Sequence, residues 1–99
     1  MLQCSGLAMY TLVIYDITDD ELRLKVAAAC KEAGLVRIQK SAFLGMIDSQ
    51  RRKSLELRLG KILGPYKGNI QIFVICEADM AYRKIIGEPI ECEEEVVFL

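Results

Sequence analysis

Histidine is absent from the 99 residues, and the four cysteines (Cys4, Cys30, Cys76 and Cys92) include no Cys-x-x-Cys pair. A structural zinc site needs such ligands at close spacing, so none is expected here. Neither Gly-x-Ser-x-Gly nor Gly-x-x-x-x-Gly-Lys occurs. Triad hydrolases and P-loop nucleotide hydrolases therefore find no support. No apolar run approaches the length of about 20 residues that spans a bilayer. The opening MLQCSGLA lacks the positive stretch and apolar core of a signal peptide. Scattered thiols of this kind are unlike a secreted disulfide framework, so reduced cysteines in the cytoplasm are expected.

What the chain does have is a hydrophobic fraction of 53% and a charged fraction of 27%, which fits one compact domain small enough to gain from oligomerisation. The regular pattern starts near Met9, so residues 1–8 are expected to be an unstructured extension ahead of a single domain over residues 9–99. The formal charge of -1 conceals an asymmetry: Glu88, Glu91, Glu93, Glu94 and Glu95 close the chain with no base among them. Setting these five aside leaves 13 bases against nine acids, and residues 51–67 hold six bases against Glu56 alone. A polyanionic partner is compatible with that distribution.

Tyr10 to Tyr15 (YTLVIY) is a β-branched and aromatic run, too short for an ordinary helix and expected as a strand. Thr18 and Glu21 have capping-box spacing. The helix they open places Leu22, Val26, Ala29, Cys30 and Ala33 on one stripe, and Gly34 stops it. Leu35 to Gly45 alternates and is expected as one long strand with a bulge near Lys40. A second helix is expected from Asp48 or Ser49 to about Leu63, with Leu55, Leu59, Ile62 and Leu63 on its buried face and Arg51, Arg58 and Lys61 on an adjacent flank. Asn69 to Cys76 is a third strand, apolar on both parities and hence expected inside the sheet. Glu77 to Arg83 suits a short helical turn, and Lys84 to Gly87 a brief strand. The order is β-α-β-(β)-α-β-β, with the bulge near Lys40 able to break the second strand in two, and is read as an α+β, ferredoxin-like β-α-β-β-α-β fold. The apolar end, Val96, Val97, Phe98 and Leu99, would be a sticky edge if left free. It is expected as an extra C-terminal strand exchanged or packed across a homodimer.

Asp16 stands where a buried strand ends and a helix is about to begin. A carboxylate there can bind a hard cation such as Mg2+ with water in the other positions; alternatively, with Asp19 and Asp20, it charges and caps the helix start. Arg37, Gln39, Ser41 and Phe43 form a polar row with an aromatic end, suited to a solvated face or to contact with phosphates or a partner chain. The basic flank of the second helix has the same two readings.

Taken together, Tyr15-Asp16-Ile17, Thr18-Asp19-Asp20 with Arg23, Gly34-Leu35 and Arg37-x-Gln39-x-Ser41-x-Phe43 followed by Gly45 resemble the successive motifs of the CRISPR-associated protein 2 family, over residues 9–98. The resemblance implies a homodimer whose C-terminal strand packs on the other protomer. It also implies spacer acquisition with the CRISPR-associated protein 1 integrase, the dimer holding duplex DNA along a basic surface. Arg51, Arg52, Arg58 and Lys61, with Arg23, Arg37 and Lys40, are the implied phosphate contacts. Members are also described as metal-dependent nucleases of single-stranded RNA or double-stranded DNA, which implies a catalytic and Mg2+-binding role for Asp16. Lys40 and Ala42 depart from the usual pattern, and both are packing changes. A small-molecule-binding or regulatory dimer on the same plan is the competing class.

Overall fold

A computed structural model describes residues 9–88 of the chain. Its elements run β1 (Met9–Asp16), α1 (Asp20–Glu32), β2 (Val36–Gln39), β3 (Ala42–Met46), α2 (Ser49–Leu63), β4 (Asn69–Cys76) and α3 (Glu77–Met80). The four strands form one antiparallel sheet in the order β2-β3-β1-β4. β1 is central, with Val13 opposite Phe43 on one side and Ile72 on the other.

Alternation along β1 sends Thr11, Val13 and Tyr15 to one face, and α1 and α2 both pack there. Their stripes, Leu22, Val26, Ala29 and Cys30 from α1 and Leu55 and Leu59 from α2, close over Val13, Tyr15 and Phe43 to make the core. The other face carries Leu12, Ile14, Ala42, Leu44 and Phe73; Ala42 and Leu44 are buried, whereas the β1 and β4 side chains stay partly open. Ile14 is 40% and Phe73 43% exposed. An apolar sheet face open to water is the least satisfied surface of the chain.

Four expectations are corrected. The cap of α1 is Asp19, whose Oδ1 accepts from the Leu22 amide at 2.9 Å; a carboxylate at this position answers the helix dipole better than the Thr18 hydroxyl one residue earlier. The segment from Leu35 to Gly45 is two strands, because the chain reverses at Lys40-Ser41 into a hairpin. The register shift falls between Arg37 and Gln39. β4 lies at the edge of the sheet formed by the described residues, and its apolar residues on both parities reflect one face against the helices and one partly open face. Lys84 to Gly87 forms no strand: Gly87 takes φ +93, outside the extended backbone a strand needs. Val96, Val97, Phe98 and residues 1–8 lie outside the described residues.

Two glycines set the approach of α1 to the sheet. Gly34 adopts φ +103 just beyond the helix end, a conformation that side-chain-bearing residues rarely take. A Cβ on Gly45 would stand 2.9 Å from Leu35 Cδ2 and 3.0 Å from the Gly34 carbonyl oxygen, so the loop can cross β3 only because that position is bare.

Candidate nucleic-acid interface

Asp16 is the last residue of β1, exposed, with Asn69 as its strand partner. Its parity places it on the uncovered face, in line with Leu12 and Ile14. Any second body that covers this face meets Asp16 at its border.

On the opposite side, α1 and the β2–β3 hairpin enclose a recess of about 600 Å3. It is lined by Tyr15, Arg23, Leu24, Arg37, Lys40 and Ser41, among others. Three of the implied phosphate contacts, Arg23, Arg37 and Lys40, are thus brought together although they lie on different elements. Arg37 reaches across the hairpin to its register partner. Its guanidinium carbon sits 4.9 Å from the Phe43 ring centroid, and Nη1 donates to the Lys40 carbonyl at 2.6 Å. Such a cation over an aromatic face is held by the ring quadrupole. Phe43 stacks in turn on Tyr15, with centroids 6.3 Å apart and planes 18° from parallel. Burial pushes the Tyr15 phenol above its ordinary pKa, partly opposed by the Arg37 charge. Tyr15 therefore stands at neutral pH as an uncharged donor, its hydroxyl directed at the Lys40 carbonyl at 3.4 Å. Burial likewise pushes the Cys30 thiol up to about 12, leaving it inert within the core.

A second groove, of about 430 Å3, runs between the N-terminal half of α1 and the C-terminal half of α2. Arg58 and Lys61 line it together with Lys25, Tyr66 and the carboxylates Asp19 and Glu21. The flank expected on α2 is therefore divided: Arg58 and Lys61 face this groove, whereas Arg51 and Arg52 lie nearer the start of the helix and line neither cavity. Lys25, Tyr66 and the pair Arg83 and Lys84, which sit beside Arg37 and Gln39, escaped the sequence reading. Lys25 stands three residues from the buried Leu22, a spacing that puts it at the border of the stripe. Tyr66 gave no signal beyond a lone aromatic after Gly64-Pro65.

Several of the cations are ion-paired. Arg23 Nη2 lies 2.7 Å from Asp20 Oδ1, Arg58 Nη1 2.7 Å from Glu32 Oε1, and Arg52 Nε 3.5 Å from Glu56 Oε2. The exposed Arg23 and Arg58 pairs are worth about 0.2–1 kcal/mol each, so a phosphate can displace the carboxylate at small cost. For a metal the chain alone offers little: among the described residues no three His, Cys, Asp or Glu side chains stand together to hold an ion. One exposed carboxylate at Asp16 does not fit Mg2+ within a single chain. No helix among the described residues is long and apolar enough to cross a membrane.

Comparison with known proteins places these features in a family. The model of "CRISPR associated protein Cas2" matches residues 9–83. A protein of Korarchaeum cryptofilum named CRISPR-associated endoribonuclease Cas2 is 52% identical over 77 residues, which is 77% of this chain and 82% of that one. A Thermoproteus tenax protein named CRISPR-associated endonuclease Cas1/endonuclease Cas2 fusion is 40% identical over 74 residues, covering 74% of this chain and 28% of the fusion. The crystal structure of Streptococcus pyogenes Cas2 superimposes with a TM-score of 0.68 at 20% identity over 79% of this chain and 99% of that one, a likeness of fold.

Proposed function

The chain belongs to the Cas2 family of CRISPR-associated proteins, and from that premise we propose that it serves CRISPR adaptation in the cytoplasm as a homodimeric, ferredoxin-like scaffold that holds duplex DNA for a Cas1 integrase. The observation that carries this reading is the Thermoproteus tenax fusion, in which a relative of this chain is joined to Cas1 in one polypeptide. Covalent joining fixes the two proteins at equal number and high effective concentration, which benefits only partners that act together.

Features of the geometry support this reading. The uncovered face of Leu12, Ile14 and Phe73 receives a second copy, with the Val96-Val97-Phe98 strand packing across, and an isologous contact brings both Asp16 residues to one border. Arg23, Arg37 and Lys40 in the recess, with Arg51, Arg52, Arg58 and Lys61 along α2, contact phosphates. Contacts of this kind carry no sequence information and weaken steeply with salt.

A second reading, favoured by the endoribonuclease naming of the relatives, is endonuclease action on single-stranded RNA or double-stranded DNA. In it the paired Asp16 carboxylates of two copies hold Mg2+, which supplies Lewis-acid chemistry at a phosphodiester. This chain's own contribution is to position the strand: Arg37, held over Phe43, presents its charge from a fixed base, and the neutral Tyr15 hydroxyl can donate without repelling a phosphate.

The test is an integration reaction with a Cas1 integrase, a short duplex and repeat DNA, run with wild type, Asp16→Ala and a triple Arg23→Ala/Arg37→Ala/Lys40→Ala variant. Stimulation by wild type and Asp16→Ala, with loss in the triple variant, is the expected result. Absence of stimulation by the wild type sinks the scaffold reading. Mg2+-dependent cleavage by the wild type that is lost in Asp16→Ala supports the second.

A further inference from the structure

We propose that the groove between α1 and α2 is a stacking site for one unpaired nucleotide, with Tyr66 as the platform and Lys25 and Lys61 as the phosphate contacts. The inference rests on the nucleic-acid reading above for its class of ligand and shares Lys61 with the duplex contacts proposed along α2, but it concerns a different substrate form and adds Tyr66 and Lys25, which that reading does not use.

The side chain of Tyr66 is placed by its backbone. Pro65 fixes the chain direction after α2, and the Tyr66 amide donates to the Leu63 carbonyl at 2.9 Å, so the ring is anchored at one end of the groove and is 62% exposed. It makes no ring contact or hydrogen bond among the described residues. Leu22 and Ile62 are the apolar lining of the groove, and Lys25 and Lys61, neither of them in an ion pair among the described residues, line it as well. An exposed aromatic ring beside unpaired cations is the arrangement on which single strands bind, because every base has a π-face and every nucleotide a phosphate.

The charge of the groove decides between single strand and duplex. Asp19 and Glu21 share it with the cations. A duplex backbone laid along it would set successive phosphates against those carboxylates as well as against the lysines. One unpaired nucleotide puts a single phosphate on the lysines and a neutral base on Tyr66, leaving the acidic end unopposed. The volume of about 430 Å3 suits a small ligand of this kind.

The experiment uses the full chain and four probes: oligonucleotides of about 10 nucleotides, in the range of single-strand site sizes, as single-stranded DNA, single-stranded RNA and blunt duplex, plus the single-stranded DNA carrying 2-aminopurine. Tyr66→Leu is expected to weaken single-strand binding about tenfold and to abolish the quenching of 2-aminopurine fluorescence, whereas Tyr66→Phe, which keeps the ring, retains both. Blunt-duplex binding is expected to be unaffected by either variant. The DNA and RNA arms tell which strand the groove takes. Unchanged single-strand binding in Tyr66→Leu overturns the proposal, and so does an equal loss with the duplex. Failure of the wild type to bind duplex would instead count against the scaffold reading, and would leave a Tyr66-dependent single-strand affinity standing.

Discussion

Phe73→Ala tests the two-copy reading at one position. Phe73 sits on the uncovered sheet face with 43% of its surface open, which is about 85 Å2 of a side chain of about 200 Å2. In an isologous interface each substitution acts twice. The variant then forfeits about 170 Å2 of apolar burial, or about 4 kcal/mol at about 25 cal/mol per Å2. If the partner covers only half of that area the loss is about 2 kcal/mol, so the dimer dissociation constant should rise between about 30-fold and 1,000-fold. Sedimentation equilibrium over a dilution series reads it directly, with circular dichroism to establish that the variant remains folded. Lys53→Ala, on the exposed side of α2, should leave the constant unchanged. A dissociation constant for Phe73→Ala within about threefold of wild type, a difference of about 0.6 kcal/mol, would refute the assignment of this face as the contact.

Thr11 is buried at 0% exposure, and its hydroxyl finds no hydrogen-bond partner among the described residues; Thr11→Val should stabilise the fold by about 1 kcal/mol, read as a raised urea midpoint, and a lowered midpoint would mean that the hydroxyl is satisfied. Gly45→Ala must push Leu35 and the Gly34 carbonyl aside and should cost about 1–3 kcal/mol, measured in the same titration. Cys30, its pKa raised by burial from near 9 to about 12, should stay unmodified by a thiol reagent at neutral pH until the protein unfolds, as peptide mass mapping can check. The same shift sets a pH dependence. The folded state holds the Cys30 proton more tightly than the unfolded chain, so this contribution is complete below about pH 9 and is lost as the pH climbs toward about 12. Tyr15, raised in the same direction, adds to the alkaline loss, and a midpoint that rises with pH above 9 would contradict both.

The order of elements was legible because it rests on local signals. Leu22, Val26, Ala29 and Cys30 recur at helical spacing, Gly34 and Gly64-Pro65 punctuate, and β1 is a clean apolar run. The hairpin at Lys40-Ser41 was not, since a reversal between two alternating segments preserves parity: Arg37 and Phe43 share a face whether the chain continues or turns back. The edge position of β4 was hidden for a related reason. Apolar residues on both parities report two apolar environments, and one of these is a surface still awaiting its cover. Of the candidate site, Arg23, Arg37 and Lys40 were individually visible but their convergence was not, being a product of how α1 packs beside the hairpin. Tyr66 and Lys25 meet across two helices, a juxtaposition that no spacing within either helix encodes.

The central position of β1 has a consequence for how the chain is made. The strand emerges from the ribosome early, yet its two neighbours are Ala42–Met46 and Asn69–Cys76, and Met9 is paired with Cys76 itself. The sheet therefore cannot close until synthesis has passed Cys76, and until then the apolar YTLVIY segment has at most one flank protected. Closing so long a loop is slow relative to local helix formation, and in the interval an unpaired β-prone strand is a template for pairing with other nascent copies. Helices that form early and shield one face of β1 would reduce that exposure while its second neighbour is still being synthesised.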